Sequence, residues 1–208
     1  MKALSVFLAC FLAGAGRAEV FFRMVKDDEK IGTMKLFQRL LPDGSKLVTL
    51  QISFSKPSVV QVRSETVYSA DGTPKRMLFE VAPKGRDRQL STVTFDAKGA
   101  SFQSGEDSLL VAPPNGPWKN PAEFWFVRDK PAVGAEVSSY TFSITDREFR
   151  LTTTKFVGPR TIELDGKQVK GNMLLVTTKG NAAHILVDDQ GLPLFWDGPI
   201  QFFREQAP

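Results

Sequence analysis

Three carboxylates near the end of the chain have the clearest potential for chemistry. Asp188, Asp189 and Asp197 bracket a short apolar run, and carboxylates can hold a divalent cation or serve as the acid and base of a hydrolase. However, 188–191 (Asp-Asp-Gln-Gly) has the composition of a turn, because aspartate tolerates turn geometry and glycine supplies positive φ. An extended strand, at ~3.3 Å per residue, would separate Asp189 and Asp197 by about 25 to 30 Å. We therefore predict turns at both ends of a strand and no metal site.

The single histidine, His184, limits the available mechanisms. It lies in an alternating run, on the same strand face as Leu186. A Ser-His-Asp triad would have to use His184, and no serine occupies a Gly-x-Ser-x-Gly turn. Histidine-rich zinc sites are excluded by count, and neither 27–29 nor 188–189 has the spacing of a calcium loop. We predict no catalytic residues, metal or cofactor, with a paired-carboxylate hydrolase as an alternative for which no acid pair is singled out.

The first residues have the layout of a secretory signal peptide. Lys2 precedes an apolar run, and Gly-Arg-Ala at 16–18 is a cleavage triplet, with a cut after Ala15 as an alternative. The run is too short for a transmembrane helix, which needs about 20 apolar residues. We predict a signal peptide over 1–18 and a single all-β domain over 19–208. The mature protein would be secreted or periplasmic and have no transmembrane span.

Cysteine content and charge exclude further classes of function. Cys10, the only cysteine, lies in the predicted signal peptide, where lipidation is an alternative to cleavage at Ala18. Otherwise the mature chain has no cysteine, which excludes disulfides and thiol catalysis. The formal net charge of +4 includes Lys2 and Arg17 of the predicted signal peptide, and without them it is +2. This balance is too even for a nucleic-acid-binding surface, so no nucleic-acid partner is predicted.

The rest of the chain has the two-residue period of β-strands. Val48, Leu50 and Ile52 alternate with polar residues, as strands with one buried face do. Asp-Gly pairs at 43–44, 71–72 and 165–166 separate such runs and favour tight hairpins. This spacing predicts roughly 12 to 15 strands. We expect a curled antiparallel meander, as a half-barrel or an up-and-down barrel, with a sandwich as an alternative.

Residues 112–126, APPNGPWKNPAEFWF, interrupt this pattern. The prolines forbid a regular central strand, and Asn120-Pro121 has the cap and first-turn residues of a helix. We predict a central crossover with one short helix. Its aromatic residues either close the core or, with 118–126 as a lid, line an apolar cavity. The residues predicted to contact a ligand are Trp118, Phe124, Trp125, Tyr140 and Trp196.

Three segments together resemble bacterial envelope domains of uncharacterised function. They are EVFFRMVKDDEKIGTMKLFQRLLPDG at the start, Pro-Ala-Val-Gly at 131–134 before a strand, and Leu-Asp-Gly-Lys at 164–167 leading to Val-Asp-Asp-Gln-Gly-Leu-Pro at 187–193. They are similar to periplasmic domains whose sheets curl like those of the lipoprotein carriers of outer-membrane sorting. The resemblance implies a half-barrel fold and an envelope location. It also implies binding of an acyl chain or an envelope partner, and it transfers no catalytic residues.

The sequence thus favours a non-catalytic, extracytoplasmic binding protein. The ligand would be apolar, such as a lipid chain, and would lie against the concave face of the curled sheet. The alternative is an interaction or structural module that meets another envelope protein through an exposed edge strand or aromatic patch.

Overall fold

The computed structural model describes residues 17–118 and 121–205, and the side chains of all of these except 17–18 and 121–124. The predicted signal peptide up to residue 16, which includes Cys10, and the predicted helix cap Asn120 lie outside the described residues.

Strands alternate with tight turns along most of the chain, and one helix follows the eighth strand. The strands before the helix are β1 (Arg17–Lys26), β2 (Glu29–Leu40), β3 (Lys46–Phe54), β4 (Val60–Tyr68), β5 (Pro74–Pro83), β6 (Gln89–Asp96), β7 (Gly99–Ser104) and β8 (Asp107–Val111). After the helix α1 (Pro121–Asp129) come β9 (Glu136–Ser143), β10 (Glu148–Leu164), β11 (Lys167–Thr178), β12 (Asn181–Val187), β13 (Pro193–Asp197) and β14 (Gln201–Glu205).

These elements form one antiparallel sheet of 14 strands in the order β8-β7-β6-β5-β4-β3-β2-β1-β14-β13-β12-β11-β10-β9. Every neighbouring pair is consecutive in the chain except β1 and β14, which pair at the centre. The connection through α1 joins the two edge strands, β8 and β9. This confirms the predicted all-β meander with one short helix in a central crossover, and the sheet is not closed by backbone pairing.

The core lies on one face of the sheet, which we call the inner face. Phe22 and Met24 of β1 are almost fully buried there, as are Ile52 of β3, Ile185 of β12 and Phe202 of β14. Their positions follow from the two-residue period of each strand, because registered pairs such as Met24 and Phe202 share a face. Burial of these side chains drives the sheet to curl around them.

The two ends of the curled sheet overlap through their side chains. Phe95, on the inner face of β6, contacts the ring of Phe142 of β9 at 5.8 Å between centroids. Phe142 and its registered partner Phe149 of β10 project from the face opposite to buried Thr152 and Thr154. The inner face of one end therefore packs on the outer face of the other. At this overlap, aromatic contacts rather than backbone pairing close the curled sheet into a roll.

Helix α1 packs on the inner face of the last strands. Trp125 belongs to the buried core, and the Phe126 ring lies 5.1 Å from that of Phe156 in β10. Within the described residues, no helix is long and apolar enough to cross a membrane.

Candidate binding site

The end of the β10–β11 hairpin leaves the sheet as a two-stranded arm, which we define as residues 157–171. Pairing of β10 with β9 ends at Lys155, and β12 reaches β11 only at Asn172. The register of β10 shifts between Phe156 and Gly158, where Gly158 has φ of +120°. This bulge turns the hairpin away from its neighbours, because an extra residue bends the strand that contains it.

The arm ends in the turn formed by Asp165 and Gly166, which have φ of +52° and +72°. Positive φ at both central residues is the geometry that makes Asp-Gly a preferred two-residue hairpin turn. Since sequence alone predicted a turn at these residues, its position is confirmed. The sequence did not show that the hairpin would project from the sheet.

A salt bridge, which we call the latch, holds the tip of the arm against the outer face of β1. The Arg23 guanidinium donates hydrogen bonds of 2.6 and 2.5 Å to the two carboxylate oxygens of Asp165. The same guanidinium lies 4.4 Å from the centroid of the Phe203 ring. The Phe203 ring lies 5.0 Å from that of Phe195 in β13. The arm therefore extends over the outer face of β11 to β14 to reach β1.

A cleft of about 410 Å³ lies beside the arm. Its apolar lining is shared by the arm and the outer face of the sheet: Val157, Ile162, Leu164, Met173 and Phe195. This volume is within the range of about 300 to 1,000 Å³ that small-molecule sites occupy, and such sites are typically apolar with few polar groups.

Four polar side chains also line the cleft: Arg160, Glu163, His184 and Asp197. His184 is exposed and lies directly opposite Asp197 in the β12–β13 pairing. Arg160 donates a hydrogen bond of 3.0 Å to the Pro159 carbonyl and has no carboxylate partner among the residues described. The cleft therefore offers hydrogen-bonding groups of both charges around an apolar floor.

The predicted ligand contacts are distributed over the core and the overlap rather than gathered in this cleft. Trp125 and Trp196 are only 6% and 3% exposed and pack in the main core. Trp118 is half-buried and packs against Phe95 and Phe149 in the overlap. The ligand-binding role predicted for these tryptophans stays a prediction.

Tyr140 and Phe124 complete that predicted set. Tyr140 is half-buried beside the crossover, and its backbone N–H donates to the Pro117 carbonyl at 2.7 Å. The side chain of Phe124 lies outside the described residues. The concave face on which a ligand was expected is the inner face, and most of its described apolar residues belong to the main core. The cleft beside the arm lies on the opposite face.

The three carboxylates near the C-terminus serve as structural ties. Asp188 accepts hydrogen bonds from the backbone N–H groups of Gln190 and Leu192, and it forms an ion pair with Arg204 at 2.7 Å. Asp189 and Asp197 accept bonds from side-chain amides at 3.1 and 3.3 Å. Within the described part of the chain, no group of three His, Cys, Asp or Glu side chains is arranged to hold a metal ion.

A second polar cluster lies where β9 turns into β10. The Ser143 hydroxyl donates to Asp146 at 2.6 Å, and this bond, with Arg150 and Lys179 nearby, holds the pKa of Asp146 below its usual value. Hydrogen bonds from Lys179 and then Arg150 lower the pKa of Glu148. Both carboxylates therefore favour the ionised form, as members of a network with two cations.

The cleft and the latch were missed by reasoning from the sequence. Their residues come from β1, β10–β13 and β14, so no local pattern connects Arg23 with Asp165. One signal was present in the sequence: Gly158 and Pro159 lie between two strand-like runs. Glycine inside a strand often marks a bulge, and proline removes a backbone hydrogen bond from the sheet.

Comparison with known proteins supports the fold. One similar solved structure is a beta-barrel-like protein of the domain of unknown function DUF1849 from Brucella abortus. It is 12% identical in sequence, and the comparison has a TM-score of 0.60 and covers 95% of this chain and 98% of that chain. A DUF1089 family protein from Pseudomonas aeruginosa is 18% identical, with a TM-score of 0.43 over 90% and 92% of the two chains. No protein-family model and no curated protein matches the sequence. The first likeness shows a beta-barrel-like all-β fold and nothing about function.

Proposed function

We propose that this chain is a non-catalytic, extracytoplasmic binding protein that holds a single-chain apolar ligand in the cleft beside the arm. The observation that carries the proposal is the cleft of about 410 Å³ whose apolar walls come from both the arm and the sheet. An acyl chain fits such walls because it gains free energy in proportion to the apolar area that it removes from water.

The polar groups of the cleft suit an amphipathic ligand. Arg160, without a carboxylate partner in the described chain, could bind an anionic head group, while Ile162 and Leu164 contact the chain. The latch fixes the outer wall by joining Asp165 to Arg23. A wall fixed before binding reduces the entropy lost on binding. The predicted export of the protein supports a ligand from the cell envelope.

The proposal is tested by placing a charge in the cleft. Ile162→Asp puts a carboxylate among apolar side chains, whereas Thr161→Asp puts the same group on an adjacent exposed position of the arm. Binding of a fluorescent fatty acid is measured by titration. We expect at least a tenfold weaker affinity for Ile162→Asp, since a buried charge opposes ligand binding, and little change for Thr161→Asp. Equal affinities of the two variants, or no saturable binding by the unaltered protein, would contradict the proposal.

A second candidate function is docking of an envelope protein on the edge strand β8. Leu109 and Leu110 are 43% and 57% exposed, and β8 stands at one end of the sheet order. Exposed apolar edge strands can pair with an extended segment of another chain. A photo-crosslinker at Leu110 would then give one discrete adduct in the native envelope, and a crosslinker at the exposed Thr94 of β6 would not. Identical adduct patterns at both positions would argue against docking at β8.

A further inference from the structure

Hydroxyl side chains replace apolar ones on the inner face of β9, β10 and β11. Ser139, Thr152, Thr154 and Thr178 are each at most 4% exposed there. Thr154 pairs in register with Val176, a member of the main core, so these hydroxyls belong to the inside of the roll. A buried hydroxyl destabilises the fold unless it is hydrogen-bonded.

Only two of these four hydroxyl groups form a hydrogen bond to another described residue. Thr152 and Thr178 share a hydrogen bond of 3.0 Å between their hydroxyl oxygens. The hydroxyls of Ser139 and Thr154 are buried, and neither has a hydrogen-bond partner among the described residues. Since Ser139 lies opposite Thr152, Thr154 is its diagonal neighbour on the same face. The backbones of diagonal neighbours are roughly 7 to 8 Å apart and their side chains somewhat closer, so the two hydroxyls face the same part of the interior.

The other half of the sheet repeats the feature. The side-chain oxygens of Gln38 and Thr66 are also buried, with no hydrogen-bond partner in the part of the chain that the structure describes. Both residues pair in register with Val48 on the inner face of β3. Four of the unpaired buried polar atoms in the described chain are therefore on the inner face. Alanine in place of serine, or valine in place of threonine, would fill about the same volume without a buried unpaired oxygen. Packing therefore does not explain why polar side chains occupy these positions.

We infer that Ser139 and Thr154 form a site inside the roll for an uncharged oxygen group, a hydroxyl or a carbonyl. An uncharged occupant fits because hydroxyls both donate and accept and because Arg150 and Lys179, the described cations at this end of β10 and β11, are already paired. Arg150 contacts Asp146 and Glu148, and Lys179 contacts Glu148. The oxygen belongs to an internal water or to the polar part of a ligand that enters the roll. This site is independent of the cleft beside the arm.

The sign of a stability change tests the site. Thr154→Val and Ser139→Ala remove the two hydroxyls, and urea unfolding compares each variant with the unaltered protein. If the hydroxyls are bound to an occupant, the unfolding equilibrium constant should rise roughly fivefold to more than a hundredfold. Thr154→Ser retains a hydroxyl, so it should lose less stability than Thr154→Val. Thr94→Val, at an exposed strand position, controls for the change from threonine to valine. Unchanged or increased stability of Thr154→Val and Ser139→Ala, measured against this control, would overturn the inference.

Two further measurements separate the sources of the oxygen. The unfolding of Thr154→Val and of the unaltered protein is repeated after complete unfolding and refolding in buffer alone. A loss that persists after refolding identifies water, and a loss confined to the protein as isolated identifies a co-purified ligand. A crystal structure of the full chain provides the direct check. Electron density within hydrogen-bond distance of both hydroxyls is expected, and its absence would overturn the inference.

Discussion

Removal of the latch should release the arm without unfolding the sheet. Arg23→Ala deletes both the ion pair with Asp165 and the contact with the Phe203 ring. The carboxylate is 60% exposed, so screening by solvent limits the ion pair to about 0.2 to 1 kcal/mol. The cation–π contact adds about 0.5 to 1 kcal/mol at such a site. The sum, about 0.7 to 2 kcal/mol, corresponds to a roughly 3- to 30-fold increase in the open population of the arm.

Hydrogen exchange of the backbone amides in 158–171 measures this opening. Arg23→Ala should accelerate exchange there by that factor and leave the inner strands unchanged. Asp165→Asn keeps the shape of the turn and removes only the ion pair, so its effect should be smaller. Added salt should accelerate exchange in the unaltered protein and have little effect on either variant, because it screens exposed charges.

A matched control is present on the same face of the sheet. Lys35 forms an ion pair with Glu19 and lies 5.2 Å from the centroid of the Phe21 ring, which makes it similar in kind to Arg23. Lys35→Ala should therefore leave exchange in the arm unchanged. The reasoning would be refuted by unaltered arm exchange in Arg23→Ala, or by equal acceleration in Lys35→Ala.

Three further predictions concern the overlap, the base of the arm and the acid cluster. Phe142→Ala removes the contacts of this ring with Phe95 and Phe149, at 5.8 and 5.3 Å between centroids. Because the ring is half-buried, the substitution should lower the free energy of unfolding in urea by about 2 kcal/mol, and a loss below about 0.5 kcal/mol would show that the overlap contributes little. Gly171→Ala would place a Cβ 2.6 Å from the Val187 carbonyl oxygen, so we expect destabilisation by about 1 to 3 kcal/mol. The NMR resonances of the arm should also shift, and a spectrum identical to that of the unaltered protein would contradict this. The pKa of Asp146 lies below its usual value of 3.8, chiefly because Ser143 donates a hydrogen bond to it. Ionised Asp146 therefore contributes stability above pH 3.8 that is lost as the pH falls through its folded-state pKa. In Ser143→Ala the carboxyl resonance should titrate at a higher pH than in the unaltered protein, and an unchanged titration would refute this assignment.

Local sequence patterns were sufficient to predict the strands. The alternation of Val48, Leu50 and Ile52 predicted a half-buried strand, and all three residues are buried in β3. The Asp165-Gly166 pair predicted a hairpin turn because two positive φ values are needed there. Prolines in 112–118 predicted the crossover. Each of these features depends on neighbours within a few residues, so a single sequence contains the information.

The same alternation could not assign the faces of β9. Tyr140 and Phe142 alternate with polar residues in the sequence. The apolar face that they form is the outer one, which packs on the opposite end of the sheet through Phe95. Ser139 occupies the inner face. A two-residue period shows that a strand has two different faces, but the partner of each face depends on how the whole sheet curls.

The sequence by itself determined the all-β class, the meander order and several of the turns, because these follow from residue period and turn chemistry. Only the tertiary structure decided which strands meet at the overlap, where the arm projects and which side chains line the cleft. Arg23 and Asp165 are 142 residues apart in the chain, and their contact requires the curvature accumulated over several strands and one bulge. Curvature is a property of the whole sheet, so no local pattern specifies the cleft beside the arm.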